Sequence, residues 1–186
     1  RDRLRSRGLG DVYKRQTLST FAAQNKGAGK IDRIKKGYLQ TMLITFATTA
    51  VLGGLVLIFR HDIASLFISL DNSATEGTNV DIQSVIGITG TFISIMVPSY
   101  FVLAVMHLTT RLLSGAGDTV TAMGVNIFSF VVRITAAFVL NRFFGYIGVF
   151  AASGVAWFAG MIWSLCRYFR NKWQNKDPVS YTHLTL

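Results

Sequence analysis

The chain has 186 residues, of which 51% are hydrophobic and 15% are charged. Soluble domains carry about 25% charged residues, so this composition argues against an ordinary soluble domain and favours a membrane protein. The formal net charge of +10 would suit a nucleic-acid-binding protein. The basic residues, however, cluster in short loops between apolar runs, which disfavours that class and is typical of membrane proteins.

Residue types that carry catalysis or bind metals are sparse. The chain has one cysteine, Cys166, and three histidines, His61, His107 and His183, without the spacing of a metal site. It contains no HExxH or Walker A motif, and no GxGxxG followed by an acidic residue. We therefore predict no catalytic residue, no metal, no cofactor and no enzymatic activity.

The two ends of the chain differ in composition from the rest. Residues 1–16 contain six arginines and lysines with almost no apolar periodicity, and residues 178–186 are equally unlike the basic segment before them. Both resemble translated sequencing-adaptor sequence, and we set them aside from the fold. The alternative interpretation of residues 1–16 is a disordered basic arm.

The middle of the chain predicts an all-α fold, a polytopic bundle of transmembrane helices. A helix needs about 20 apolar residues to cross the hydrocarbon core of a bilayer. Four runs reach this length, and they are residues 38–59, 84–110, 120–141 and 146–166. Residues 17–25 read as the last turns of a fifth helix. Pro98 lies near the middle of the second run, where a membrane helix is expected to kink.

A shorter apolar pattern follows the first span. Residues 60–70 place apolar side chains at the i, i+3, i+4 and i+7 spacing of an amphipathic helix, which we expect to lie in the outer membrane interface. These side chains are Ile63, Leu66, Phe67 and Leu70. Residues 71–81 are then a polar loop, and residues 142–145 form a tight turn between the third and fourth spans.

The charges of the loops predict the orientation. Loops 26–36, 111–119 and 167–177 hold ten lysines and arginines, whereas loops 60–83 and 142–145 hold two. Basic loops stay in the cytoplasm, so the first set and the C-terminus are predicted to be cytoplasmic. We expect a multi-pass protein of a bacterial cytoplasmic (inner) membrane.

Small residues recur every four positions along the fourth span. They are Gly148, Ala152, Ala156, Gly160 and Ser164. Such a ridge allows two helix backbones to approach closely, and we favour packing within the chain over a dimer face.

Polar side chains inside the spans are candidate substrate contacts, because placing them in lipid is costly. The candidates numbered 96 to 107 form one polar stripe along the second span, and those numbered 126 to 133 form another along the third span. The candidates for a substrate cavity are Met96, Tyr100, His107, Asn126, Ser129 and Arg133. Arg111 continues the first stripe, but its place at the span's end favours snorkelling to lipid phosphate. A neutral His107 bonded to a neighbouring helix is an equal alternative, whereas Arg133 lies near mid-membrane and is the strongest candidate.

Two Gly-Ala-Gly turns, at residues 27–29 and 115–117, lie on the predicted cytoplasmic side. The candidate loop-motif residues are Gly27, Gly29, Gly115, Gly117 and Asp118. Glycine supplies positive φ at helix ends, and Asp118 is placed to cap the next helix. Phosphate binding is the less favoured alternative.

These turns lie in two stretches that resemble motifs of the MATE (multidrug and toxic compound extrusion) transporters. Residues 19–30, STFAAQNKGAGK, resemble the loop after an even-numbered helix in that family, together with Asp32, Arg33 and the Lys-Gly pair 36–37. Residues 114–119, SGAGDT, resemble the motif after a later helix. The resemblance covers roughly residues 17–177.

The resemblance implies a protein of twelve helices in two similar lobes, which exports cationic or amphipathic organic compounds in exchange for protons or sodium. Residues 17–177 would then be a fragment from the end of helix 8 to helix 12, a partial C-terminal lobe. Helices 2 to 6 are the alternative, although the basic tail after the last span favours the C-terminal end. The implied partners are the lipid bilayer, small organic substrates and the missing N-terminal lobe, without nucleic acid.

None of the four spans contains Asp or Glu. A proton or sodium site usually needs a carboxylate, so we expect the coupling site outside this chain. A flippase for lipid-linked saccharides, of the same superfamily, is the alternative function. A small four-span protein without transport activity is a third, which the incomplete helix at residues 17–25 disfavours.

Overall fold

The structure is a computed structural model that describes residues 18–70 and 82–175. The regular structure of these residues is entirely helical, which confirms the predicted all-α class. Helix α1 covers residues 18–27. It is followed by α2 (Ile31–Ile58), α3 (Arg60–Leu70), α4 (Ile82–Gly115), α5 (Thr119–Phe144) and α6 (Tyr146–Phe169). The predicted flanks 1–16 and 178–186 and the predicted loop 71–81 lie outside the described residues.

Four of these helices, α2, α4, α5 and α6, are long and apolar enough to cross a membrane. The shortest, α6, has 24 residues, which corresponds to about 36 Å at 1.5 Å per residue. This exceeds the hydrocarbon thickness of about 30 Å. The predicted polytopic helix bundle is therefore confirmed, and Pro98 lies inside the continuous helix α4.

Helix α3 occupies the segment predicted to be an amphipathic helix. It packs against α4: the Arg60 Nη1 atom donates a hydrogen bond to Ser94 Oγ at 3.2 Å. A Cβ atom built on Gly90 would lie 3.2 Å from the ring of His61. Gly90 thus leaves room for the imidazole beside α4, while the location of α3 in the outer interface stays a prediction.

A single residue, Gly145, separates α5 from α6. Its φ of 58° lies in the left-handed region that favours glycine. Its amide donates to the Asn141 carbonyl at 2.9 Å, as at the end of a helix. The predicted tight turn is therefore shorter than the four residues expected, because α5 remains helical through Phe144.

The described helices divide into two compact units. The first unit contains residues 18–44, 105–128 and 160–175, and the second contains residues 45–70, 82–104 and 129–159. The first unit is built around one buried apolar cluster. Its members are Leu18, Ala22, Ile34, Tyr38, Leu112, Leu113, Ala116 and Trp173.

The second unit is held by aromatic pairs and close backbone contacts. Its ring pairs, with their centroid distances, are Phe46–Phe101 (5.6 Å), Phe92–Phe150 (5.0 Å) and Tyr100–Trp157 (6.0 Å). A Cβ atom at Gly148 would collide with the carbonyl oxygen of Leu140, so α6 approaches the α5 backbone closely there. At Gly154, a Cβ atom would lie 2.8 Å from Ser99 Oγ of α4.

All five members of the small-residue ridge on α6 are buried. Gly148, Ala152 and Ala156 are buried in the second unit, and Gly160 and Ser164 in the first. The prediction that this ridge serves packing within the chain is confirmed.

Candidate functional site

The two Gly-Ala-Gly turns share one backbone geometry. Gly29 and Gly117 have positive φ angles of 69° and 89°. In each turn the amide of this glycine donates to a carbonyl three residues earlier, and the next amide donates to a carbonyl five residues earlier. The bonds are Gly29 N to Lys26 O (2.9 Å), Lys30 N to Asn25 O (2.8 Å), Gly117 N to Ser114 O (3.1 Å) and Asp118 N to Leu113 O (2.9 Å). This is the Schellman motif, so Gly29 and Gly117 have the helix-end role.

The other two glycines of these turns differ from each other. A Cβ atom at Gly115 would collide with the backbone oxygen of Ser19 in α1, whereas a Cβ atom at Gly27 would meet nothing within 4 Å. Gly115 therefore allows the end of α4 to touch the backbone of α1. Gly27 has no such packing requirement.

This difference gives a matched pair of variants. We expect Gly115→Ala to lower the free energy of unfolding by about 1–2 kcal/mol, because the added methyl group must push two backbones apart. Gly27→Ala should leave stability unchanged or slightly higher, since alanine favours a helix. Titration with sodium dodecyl sulfate in mixed micelles would measure both. Equal stabilities would contradict the close approach.

Lys26 is a buried lysine at the end of α1. Its Nζ atom donates hydrogen bonds to the carbonyl oxygens of Ala116 at 2.6 Å and Trp173 at 2.7 Å. Both acceptors are main-chain carbonyls that follow the last residues of α4 and α6. Carbonyls at such positions have no hydrogen-bond donor within the helix. Lys26 thus joins three helix ends in the first unit.

Replacing Lys26 by methionine should cost about 2 kcal/mol of the free energy of unfolding. Two charge-assisted hydrogen bonds are lost and two buried carbonyls lose a donor, although the desolvation cost of the ammonium group is relieved at the same time. Lys35→Met is the control, since Lys35 is exposed on α2. The same detergent titration would measure both variants, and a Lys26→Met variant as stable as Lys35→Met would exclude this role.

Asp118 lies immediately before α5, at the N-cap position predicted for it. Its carbonyl accepts from the Ala122 amide at 3.2 Å, and its Oδ1 atom accepts from the Thr121 hydroxyl at 2.9 Å. Its Oδ2 atom accepts from Arg167 Nε at 2.6 Å, and the carboxylate side chain is only 2% exposed. Asp118 therefore joins α5 to α6 through an ion pair as well as starting α5.

Trp173 follows α6 and is completely buried. Its ring stacks on Tyr168 at 5.9 Å and 8°, and its Nε1 atom donates to the Tyr168 carbonyl at 3.0 Å. Asn171, with a φ of 54°, turns the chain after α6 so that Trp173 can reach the cluster. Lys26, Asp118, Arg167 and Trp173 together are called the loop cluster below.

The polar stripes of the spans lie in two groups. Tyr100, which is 43% exposed, stacks on Trp157 in the second unit. Met96 is half-buried and Ser129 is buried in the same unit. In the first unit His107 and Asn126 are exposed, and Asn126 Nδ2 donates to the Ala122 carbonyl one turn earlier.

Arg133 lies in the second unit on an exposed part of α5. Its sequence neighbours Phe130 and Ile134 are exposed apolar side chains. A cation among apolar side chains near the middle of a membrane helix is costly unless it meets water or a partner of opposite charge. Arg133 is thus accessible on the surface of α5, and its role as a substrate contact stays a prediction.

The model of the MatE family matches residues 16–139, two thirds of the chain. The chain belongs to the MatE family. The resemblance found in the two loop motifs is thus confirmed, and the matched segment includes both Gly-Ala-Gly turns. No curated protein and no solved structure matches the chain. The MatE family is a family of membrane transporters, which disfavours the four-span protein without transport activity.

Sequence reasoning missed three members of the loop cluster in this MatE chain. In the sequence, Lys26 and Arg167 read as loop cations, and no pattern singles out Trp173. Their partners are distant in sequence: Lys26 reaches Trp173 across 147 residues, and Arg167 reaches Asp118 across 49. The one available signal was the occurrence of Lys26 and Asp118 inside the two family-like motifs.

The described part of this MatE chain contains no group of three or more His, Cys, Asp or Glu side chains that could hold a metal ion. The loop cluster consists of buried, mutually bonded groups. Its geometry fits a structural junction of helix ends rather than a site that takes up a ligand.

Proposed function

We propose that the chain belongs to a secondary antiporter that exports drugs or other organic compounds, often cationic, in exchange for protons or sodium. The match to the MatE family over both loop motifs carries this proposal. Four helices of membrane-spanning length and composition support it. Transport would proceed by alternating access, in which two halves of a transporter expose a central site to each side in turn.

The coupling site is proposed to lie outside the four predicted spans, which contain no Asp or Glu. A carboxylate for proton or sodium binding would then come from another part of the transporter, the N-terminal lobe that the resemblance implies. The basic loops would face the cytoplasm of a bacterium, with the C-terminus on the same side.

A lipid-linked-saccharide flippase is the second candidate function. The observation that favours it is Arg133, the basic side chain within the predicted spans, which is exposed on α5. A cation in the transport path suits the pyrophosphate of such a lipid better than it suits a cationic drug.

Transport by the complete reading frame would test the proposal. The gene, recovered from its genomic locus, would be expressed in a bacterial strain without its main efflux pumps, and efflux of ethidium would be followed by fluorescence. We expect efflux that stops when the proton gradient or the sodium gradient is removed. The flippase would be favoured by two results together. Ethidium efflux would not depend on either gradient, and a fluorescent lipid-linked saccharide would be translocated in proteoliposomes.

Within that transporter, we expect Arg133→Gln to change transport by about tenfold, which corresponds to about 1.4 kcal/mol. A slower rate for anionic substrates or a faster rate for ethidium would both follow from loss of the positive charge. Arg142→Gln is the matched control, because Arg142 is exposed in the last turn of the same helix. Identical kinetics for the two variants would exclude Arg133 from the transport path.

A further inference from the structure

A cavity of about 370 Å³ lies in the first unit where the first Gly-Ala-Gly turn leads into α2. Neither the loop cluster nor the polar stripes contribute to its lining. The residues that line it are Gly29, Lys30, Ile31, Asp32, Arg33 and Lys36. The volume is sufficient for a group of the size of a phosphate and its substituents.

The charge of this cavity is positive. Lys30, Arg33 and Lys36 contribute three cations against the single carboxylate of Asp32, and all four side chains are exposed. Arginine presents a planar fork of donors that fits phosphate oxygens, and lysine adds point charges. The cavity therefore suits an anion, and its net charge of about +2 disfavours a cation.

An apolar stripe continues from the cavity along the same face of α2. Leu39 and Leu43 follow Lys36 at i+3 and i+7, so the three side chains share one face of the helix. Leu39 is 57% exposed and Leu43 is 61% exposed. The stripe belongs to a helix of membrane-spanning length and composition, so its exposed leucines are suited to contact hydrocarbon.

We propose that the basic cavity binds the headgroup of an anionic phospholipid whose acyl chain lies along Leu39 and Leu43. The cations complement the phosphate, and the adjoining leucines complement the tail. A free phosphate would contact only the cations. A lipid without net charge would gain mainly from the leucines. Basic residues at a membrane surface attract anionic lipid. The proposal does not depend on the transported compound or the coupling ion.

Binding of tail-labelled lipids to the purified chain would test this proposal. The chain in dodecyl maltoside micelles would be titrated into tail-labelled phosphatidylglycerol or phosphatidylcholine, and binding followed by fluorescence anisotropy. We expect phosphatidylglycerol to bind at least tenfold more tightly. The combined substitution Lys30→Gln, Arg33→Gln and Lys36→Gln should weaken phosphatidylglycerol binding by about 10- to 100-fold.

The matched control removes the same charge elsewhere, through Arg142→Gln, Arg170→Gln and Lys172→Gln, three exposed side chains outside the cavity. This variant should bind phosphatidylglycerol within about twofold of the unmodified chain. An equal loss of phosphatidylglycerol affinity in the two variants would show that the lipid is attracted by net charge alone, and would overturn the proposed site. Equal affinities of the unmodified chain for the two lipids would also overturn it, without any variant. Displacement of the labelled lipid by millimolar inorganic phosphate would show that a soluble anion, not a lipid, is the ligand.

Discussion

Trp173→Ala is expected to lower the free energy of unfolding by about 3–5 kcal/mol, the range for removing a large buried aromatic side chain. The indole ring is fully buried in the apolar cluster of the first unit. The substitution removes its stacking on Tyr168 and leaves a cavity among residues of α1, α2 and α4. Titration of the chain with sodium dodecyl sulfate in mixed micelles would measure the loss.

Trp163→Ala is the control of the same residue type. Trp163 lies on α6 but is 41% exposed, and its ring meets Phe128 edge-on at 5.1 Å. We expect a loss of about 1 kcal/mol there. Trp173→Phe should fall between the two, because it keeps most of the apolar surface of the side chain. A loss at Trp173 no larger than that at Trp163 would contradict the buried position.

Arg167→Met is expected to cost about 3 kcal/mol, because it leaves the Asp118 carboxylate buried without its guanidinium. The Asp118 side chain is 2% exposed and the Arg167 side chain 22% exposed, so water screens this pair only weakly. The Thr121 hydroxyl still donates to Asp118, which limits the loss. The same detergent titration gives the change in free energy.

A double-mutant cycle separates the ion pair from packing. Asp118→Asn combined with Arg167→Met should be more stable than Arg167→Met alone, because no buried carboxylate is left without its counter-ion. Arg170→Met is the control, since Arg170 is exposed three residues further along the chain. Purely additive effects of the two substitutions would refute the coupling between α5 and α6.

The features that the sequence predicts well are those set by local pattern. Apolar run length identified the four membrane-spanning helices, and the i, i+3, i+4, i+7 spacing identified α3. The four-residue recurrence from Gly148 to Ser164 predicted the buried ridge of α6, because one face of a helix collects every fourth residue. Gly29 and Gly117 were predictable as helix ends because few other residues adopt positive φ at low cost.

The length of an apolar run does not fix the boundaries of the helix that contains it. Apolar length predicts the first span at residues 38–59, whereas α2 begins seven residues earlier at Ile31. Loss of hydrophobicity marks where a chain leaves lipid, but a helix continues as long as its backbone hydrogen bonds and side-chain propensities allow. Four of the seven residues 31–37 are charged, and the segment is still helical.

The loop cluster could not be predicted because its contacts join distant segments. Periodicity and composition report which residues are buried, but not which carbonyl a buried lysine meets. A lysine that directly precedes a Gly-Ala-Gly turn reads as a solvated loop cation, and only the folded arrangement places the ends of α4 and α6 beside Lys26.

The contact between Lys26 and the Trp173 carbonyl also sets an order of events during synthesis. Lys26 leaves the ribosome 147 residues before its second acceptor, so the intervening membrane helices are translated first. Throughout that interval the nascent chain must keep the ammonium group hydrated or bonded elsewhere. Closure of the junction at these helix ends therefore waits until α2 to α6 have been translated, and chains arrested before residue 173 would reach the membrane without it.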